Sequence, residues 1–308
     1  MLKVSSSPHI RSLDSTSGIM LDVIIALIPL GIFGIVMYGY YTALIIAVCI
    51  ASAVAAEYLW CKALKKETTL RDLSAVVTGL LLAYNLPPTI PLWIAALGSI
   101  VAIVVIKQMF GGLGHNFANP AIAARIVLMV SFPSQMTNFI KVFTGGEIIS
   151  SATPLGSGTT GEYGILRLFL GNYPGCIGET STLLILFGGL YLVLRRVISI
   201  TIPLSFCGSA FLFTFLLTGN FVGSLSAVCS GGIMLAAVFM ATDYVTSPKR
   251  TVGKIIFGIG CGVLTVLIRT YGNLPEGVSF GVLIMNLLTP LIDRIPGAKP
   301  FGYTEAQG

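Results

Sequence analysis

The chain has 308 residues, of which 55% are hydrophobic and only 10% charged. An ordinary soluble domain carries about 25% charged residues, so this chain lacks the charge to cover a water-facing surface, and soluble globular, disordered and coiled-coil classes are excluded. Its formal charge of +6 would suggest nucleic acid in a soluble protein, but here the placement of the basic residues gives it another meaning.

A spanning helix needs about 20 mostly apolar residues. Ten candidate runs follow one another: Gly18–Gly39, Tyr41–Ala63, Leu73–Leu86, Leu92–Phe110, Ala121–Phe132, Leu183–Leu194, Ile200–Leu217, Phe221–Ala241, Val252–Arg269 and Val278–Ile292. The first is too long for a signal-peptide core and no A-x-A site follows it, so it is expected to stay as an anchor. Tyr40 and Tyr41 leave almost no connection after it, which predicts a tight helical hairpin. The third, fifth and sixth runs are short, which predicts broken helices or helices that extend into their polar flanks. The six cysteines form no CxxC pair and read as packing, with no iron–sulfur or zinc site.

Fourteen of the eighteen Lys and Arg fall in the segments on one side of this map, three on the other, and Arg125 lies inside the fifth run. The positive-inside rule then puts both termini in the cytoplasm. The predicted layout is a cytoplasmic segment over 1–17, a first membrane half of five spans over 18–132, an extracytoplasmic loop over 133–181, a second half of five spans over 182–292 and a cytoplasmic tail over 293–308. The basic charge is thus an orientation signal, and nucleic acid is not expected as a partner. The localisation that follows is a multi-pass protein of a prokaryotic cell (inner) membrane.

The expected fold is all-α, with about ten transmembrane helices in two inverted five-helix repeats with broken helices. An odd number of spans per half is what inverts the second half. The third run ends in "LAYNLPP" and the eighth in "MATDYVTSP", Pro87 and Pro248 are 161 residues apart, and Lys107 and Arg269 are 162 apart. Broken helices of this kind line a cavity or pathway.

Charges within membrane segments are costly and usually functional. Asp22 lies early in the first run, Glu57 late in the second and Arg125 within the fifth. Arg125 could pair with a buried carboxylate or a flavin phosphate, and the sequence leaves both open. Asp243 precedes Thr246, Ser247 and Pro248 where a helix breaks, so carbonyls and a carboxylate converge as hard cations require, which makes a candidate Na⁺ site. Phe239, one turn earlier, is a candidate apolar constriction in the pathway. Between the fourth and fifth runs, Gly111, Gly112 and Gly114 permit close backbone approach, and Asn116 and Asn119 offer both donors and acceptors.

Five strings carry a resemblance: "SSATPL" from Ser150, "KQMFGGLGHNFANPA" from Lys107, "GNYPGCIGETS" from Gly171, "MATDYVTSP" from Met240, and "PEGVSFGVLIMN" followed by "PLID" from Pro275 to Asp293. With them the chain resembles the D subunit of the Rnf complex, the ion-translocating ferredoxin:NAD oxidoreductase, and the related B subunit of the sodium-pumping NADH:quinone oxidoreductase. The resemblance implies a subunit, inactive alone, that passes electrons between ferredoxin and NAD through covalent FMN and couples this to Na⁺ or H⁺ translocation. It places the FMN, as a phosphoester, on Thr153. It further implies a noncovalent flavin, riboflavin or FMN, near the cytoplasmic side, with Gly112, Asn116, Asn119 and Arg125 as candidate contacts. Implied partners are the other membrane and peripheral subunits, including iron–sulfur and flavin subunits, and a flavin transferase for maturation. The alternative class is an inverted-repeat permease or channel with no redox role.

Overall fold

The computed structural model describes residues 15–66, 69–140, 150–151, 164–179, 181–272 and 277–295. These are almost entirely helical. In chain order come α1 (Thr16–Tyr38), α2 (Tyr40–Ala63), α3 (Ser74–Tyr84), α4 (Leu92–Ile100, continued as a π-helix over Val101–Gln108) and α5 (Pro120–Ser131). Two short helices, α6 (Pro133–Met136) and α7 (Ile165–Leu170), flank a two-residue antiparallel pair, β1 (Phe139–Ile140) with β2 (Ser150–Ser151). The chain then forms α8 (Thr182–Leu194), α9 (Thr201–Thr218), α10 (Phe221–Cys229), α11 (Ile233–Leu235, continued as a π-helix over Ala236–Met240), α12 (Thr251–Tyr271) and α13 (Gly277–Ile292).

Four of these helices, α1, α2, α9 and α12, are long and apolar enough to cross a membrane, and α10 with α11 passes the same test as a pair bent by 62°. The remaining apolar helices, α3, α4, α5, α8 and α13, have 10–17 residues. The protein is therefore a multi-pass helical membrane protein. The short turn expected after the first run is present: α1 stops at Tyr38, Gly39 adopts φ 88°, and α2 starts at Tyr40.

Membrane helices approach closely where small residues meet, because lipid supplies no hydrophobic drive and packing must do the work. A Cβ on Gly79 would stand 2.8 Å from the Cys49 carbonyl oxygen, so α3 lies against the α2 backbone. One on Gly262 would stand 2.8 Å from both the Phe206 oxygen and the Ala210 nitrogen, which locks α12 to α9. One apolar core runs through both halves, from Leu27 and Leu82 to Ala237 and Phe257.

The expected extracytoplasmic loop is more than a solvated connector. Its last stretch, Tyr173 to Glu179, is buried. There the Ile177 and Gly178 amides donate to the Leu86 and Tyr84 carbonyls at 3.1 and 2.9 Å, satisfying the C-terminal end of α3. Thr153 lies outside the described residues, two positions beyond β2.

Candidate functional site

Two helices end against one cleft, and each ends in a wide π turn. Over Val101–Gln108 the i→i+5 pattern continues into Met109, whose amide donates to Val104, and Gly112, whose amide donates to Lys107, both at 3.0 Å. In the second, the Ala241 amide donates to Ala236 at 2.7 Å. Such segments are rare and occur frequently at functional sites. They deliver Lys107 from one side and Phe239 and Asp243 from the other into one open cleft. Its walls are completed by α1, α3, the loop before α5, the end of α8 and the segment that follows it.

The sequence candidates divide cleanly on this geometry. Asn116, Asn119, Phe239 and Asp243 all line the cleft, although more than 120 residues separate the first from the last. Gly112 and Arg125 are not among its lining residues. Gly112 shapes the loop: with Gly111 and Gly114 it adopts φ of 89°, 118° and 92°, a region that strains any other residue.

The two asparagines differ in what they can still bind. Asn119 caps α5, its Oδ1 accepting from the Ala121 and Ile122 amides at 3.0 and 3.4 Å, and its Nδ2 donates to the Met240 carbonyl at 3.2 Å. Both ends of that amide are committed to structure. The Oδ1 of Asn116, by contrast, is buried and accepts no hydrogen bond among the described residues. A buried acceptor without a donor costs about 1–3 kcal/mol, so this atom is open to a donor entering the cleft. An apolar wall of Val77, Leu81, Leu113 and Phe239 stands with a few polar atoms beside it, the mix that ligand clefts generally have.

Asp243 is held by its own turn: the Val245 amide donates to Oδ1 at 3.4 Å and the Thr246 hydroxyl to Oδ2 at 3.3 Å. The Thr246 carbonyl accepts from the Thr289 hydroxyl at 2.9 Å. With its amide turned to satisfy both partners, Asn286 donates to that same carbonyl and accepts from the Asn119 amide. Among the described residues no group of three or more His, Cys, Asp or Glu side chains could hold a metal ion.

Arg125, the charge inside the fifth run, pairs with a buried carboxylate. Its Nη2 lies 3.1 Å from Glu179 Oε1, and its Nη1 donates to Asn85 Oδ1 at 2.8 Å, with Cys176 Sγ at 3.4 Å from Nη2. This cluster also explains how α10 and α11 break inside the protein. Arg269 donates to the Ala227 and Ser230 carbonyls at the end of α10, and the Thr182 hydroxyl to Cys229. Glu179 sits beside Gly232, where the next helix begins. A cation therefore faces the negative end of one half-helix, and a carboxylate the positive start of the other.

The largest feature missed by sequence reasoning is the buried pair of Lys107 and Glu57. Lys107 Nζ donates to Glu57 Oε2 at 2.8 Å, to Oε1 at 3.0 Å and to Ser74 Oγ at 2.8 Å. Glu57 also accepts from Gln108 Nε2 at 3.0 Å and from the Thr69 hydroxyl. The signal available in the sequence was a carboxylate in the second apolar run and an ammonium ending the fourth. Asp22, a further carboxylate in the first half, ties α1 to α8 through Tyr191 at 2.8 Å and Arg195 at 3.2 Å.

The chain matches the family described as NQR2, RnfD, RnfE over residues 3–302. The chain belongs to this family. It is 47% identical to the D subunit of the Na⁺-translocating ferredoxin:NAD⁺ oxidoreductase complex of Acetobacterium woodii, over 99% of this chain and 96% of that one. It is 42% identical to the corresponding subunit of the proton-translocating complex of Clostridium ljungdahlii, over 97% and 96%. With the D subunit of the ion-translocating oxidoreductase complex of Stutzerimonas stutzeri it shares 40% identity over 94% and 93%. The first two relatives are named for different ions, so family membership leaves the coupling ion open.

Proposed function

We propose that this chain is the membrane-embedded flavoprotein subunit of an Rnf-type complex, passing electrons between ferredoxin and NAD⁺ and coupling their flow to Na⁺ or H⁺ translocation. The observation that carries this reading is the near full-length match to the D subunits of such complexes. The chain acts only with the complex's other membrane and peripheral subunits, which supply iron–sulfur and further flavin centres. It resides in the cell membrane of a prokaryote, with both termini in the cytoplasm and the loop before α8 outside.

The finer architecture is part of the proposal. Taken in order, α1 to α5 and then α8, α9, the bent α10–α11, α12 and α13 make two sets of five. The third member of each set stops or bends within the bundle, and Lys107 and Arg269 lie near the ends of the two fourth members. Both basic residues then bind polar groups on other helices of their own set. These correspondences support two inverted repeats spanning the membrane ten times.

In this reading Thr153 carries FMN through a phosphoester made by a flavin transferase. The cleft takes a second, noncovalent flavin, riboflavin or FMN. Bound flavin supplies one- and two-electron transfer. The chain's residues bind and screen it: Asn116 Oδ1 accepts from a polar edge, the apolar wall excludes water, and Asn119 keeps the loop against Met240. Asp243, with Thr246 beside it, is the cation station of the same cleft, and Phe239 is its apolar neighbour. Charge arriving in the cleft then changes the field at Asp243, which is how electron flow and ion passage meet.

The test is ferredoxin-to-NAD⁺ turnover by the purified complex with Thr153→Ala in this chain. Loss of turnover with the complex still assembled is expected. Unchanged turnover would make the chain a scaffold and refute the electron-carrying role.

A further inference from the structure

The Lys107–Glu57 pair has an orientation with a consequence. Lys107 and Ser74 line the cleft, whereas Glu57 does not. The carboxylate is pinned behind by three side-chain donors, Lys107, Gln108 and Thr69. The π turn makes this arrangement, since it turns both consecutive residues, Lys107 and Gln108, onto the same carboxylate. Both charged groups are buried, with side-chain exposures of 2% and 0%. The pair is neutral as a whole, but its positive member is the one that lines the cleft. Among the residues lining the cleft, Lys107 carries the positive charge and Asp243 the negative.

A buried ion pair is seldom worth its desolvation as a source of stability, whereas a fixed charge in a low-dielectric wall acts strongly on any charge that develops beside it. We propose that Lys107 is a positioning residue that sets the redox potential of the cleft flavin, with its ammonium locked by Glu57 and Ser74 so that positive charge is held nearer the cleft than its counter-charge, where reduction of the ring adds negative charge. This rests on the reading that the cleft holds a noncovalent flavin. The ammonium donates all its protons to Glu57 and Ser74, so it acts through its field rather than by bonding the ring. The two members of the pair should therefore move the potential in opposite directions, which a merely structural role would not do.

The experiment uses the full chain, purified in detergent with Thr153→Ala so that the noncovalent flavin alone is titrated. Acid extraction counts that flavin, and reduction by dithionite against mediators, followed by absorbance, gives its potential. Lys107→Met should make reduction less favourable by about tenfold or more in the one-electron equilibrium constant, which is 59 mV. Glu57→Gln, which keeps an acceptor for the ammonium but removes the counter-charge, should make it more favourable. Lys107→Arg should restore the unsubstituted value. Retained flavin with a potential unmoved by either substitution, or moved the same way by both, overturns the inference and leaves the cleft flavin intact. Absence of extractable flavin from the unsubstituted chain rejects the cleft flavin and this inference together. Should Lys107→Met fail to fold, the upward shift in Glu57→Gln still decides the matter.

Discussion

Replacing Arg125 with Met removes the guanidinium that holds Glu179 at 3.1 Å and Asn85 at 2.8 Å. The chain length of Met roughly matches the stem of Arg, so the loss is charge and hydrogen bonds more than volume. Glu179 is 4% exposed and Arg125 2%, so the carboxylate left behind can recover little from water. Breaking a buried pair from one side costs about 3–5 kcal/mol. Gly232, packed against the carboxylate, has no side chain to donate in place of the guanidinium. Thermal unfolding in detergent can be followed with a thiol-reactive dye, because Cys49, Cys61, Cys176, Cys229 and Cys261 are all buried and become reactive only on opening. At about 2 °C per kcal/mol for a chain of this size, the midpoint should fall by about 6–10 °C. The double variant Arg125→Met with Glu179→Leu should recover most of that loss, since an apolar pair no longer strands a charge. A single variant that melts with the parent protein, or a double variant that melts no higher than the single, would show that this pair does not hold the cluster together.

Gly262→Ala places a methyl 2.8 Å from backbone atoms of α9, so α9 and α12 must separate, and a loss of about 1–3 kcal/mol should be read in the same melting assay. Asn116→Ala removes the acceptor without a donor in the cleft, and acid-extractable flavin per chain should drop while the melting midpoint of the flavin-free chain stays the same or rises. Asp243→Asn, in the reconstituted complex, should leave electron transfer running while abolishing ion uptake into vesicles; coupled pumping at the normal ratio would remove Asp243 from the ion path.

Much of the architecture is legible in the sequence because bilayer helices announce themselves by composition. The apolar run at Leu92–Phe110 contains the helical stretch Leu92–Gln108, and Pro120 with Asn119 before it marks where α5 starts. The break inside Phe221–Ala241 is signalled only by Gly231 and Gly232, of which Gly231 adopts φ 69°. The π turns leave no trace in hydropathy, because a change from four to five residues per bond does not alter which residues are apolar. Four of the six cleft and loop candidates fall together because a helix end followed by Gly, Asn or Pro is where membrane chains turn toward cavities. The ion pairs were out of reach: Glu57 and Lys107 are 50 residues apart, and only the packing of α2, α3 and α4 joins them. Arg125 could be marked as costly from its position, but nothing local says that Glu179, in a polar loop, folds back to meet it.

The proposed electron carriage by this chain stands or falls with a flavin on Thr153. In-gel ultraviolet fluorescence of the fully denatured chain, from cells that contain the flavin transferase, tests this most directly when run beside Thr153→Ala. A fluorescent band at the position of the chain, lost in the variant, is the expected result. No band from such cells, or a band that survives the substitution, would contradict it, and the first of these outcomes would put an inverted-repeat permease in place of the electron carrier.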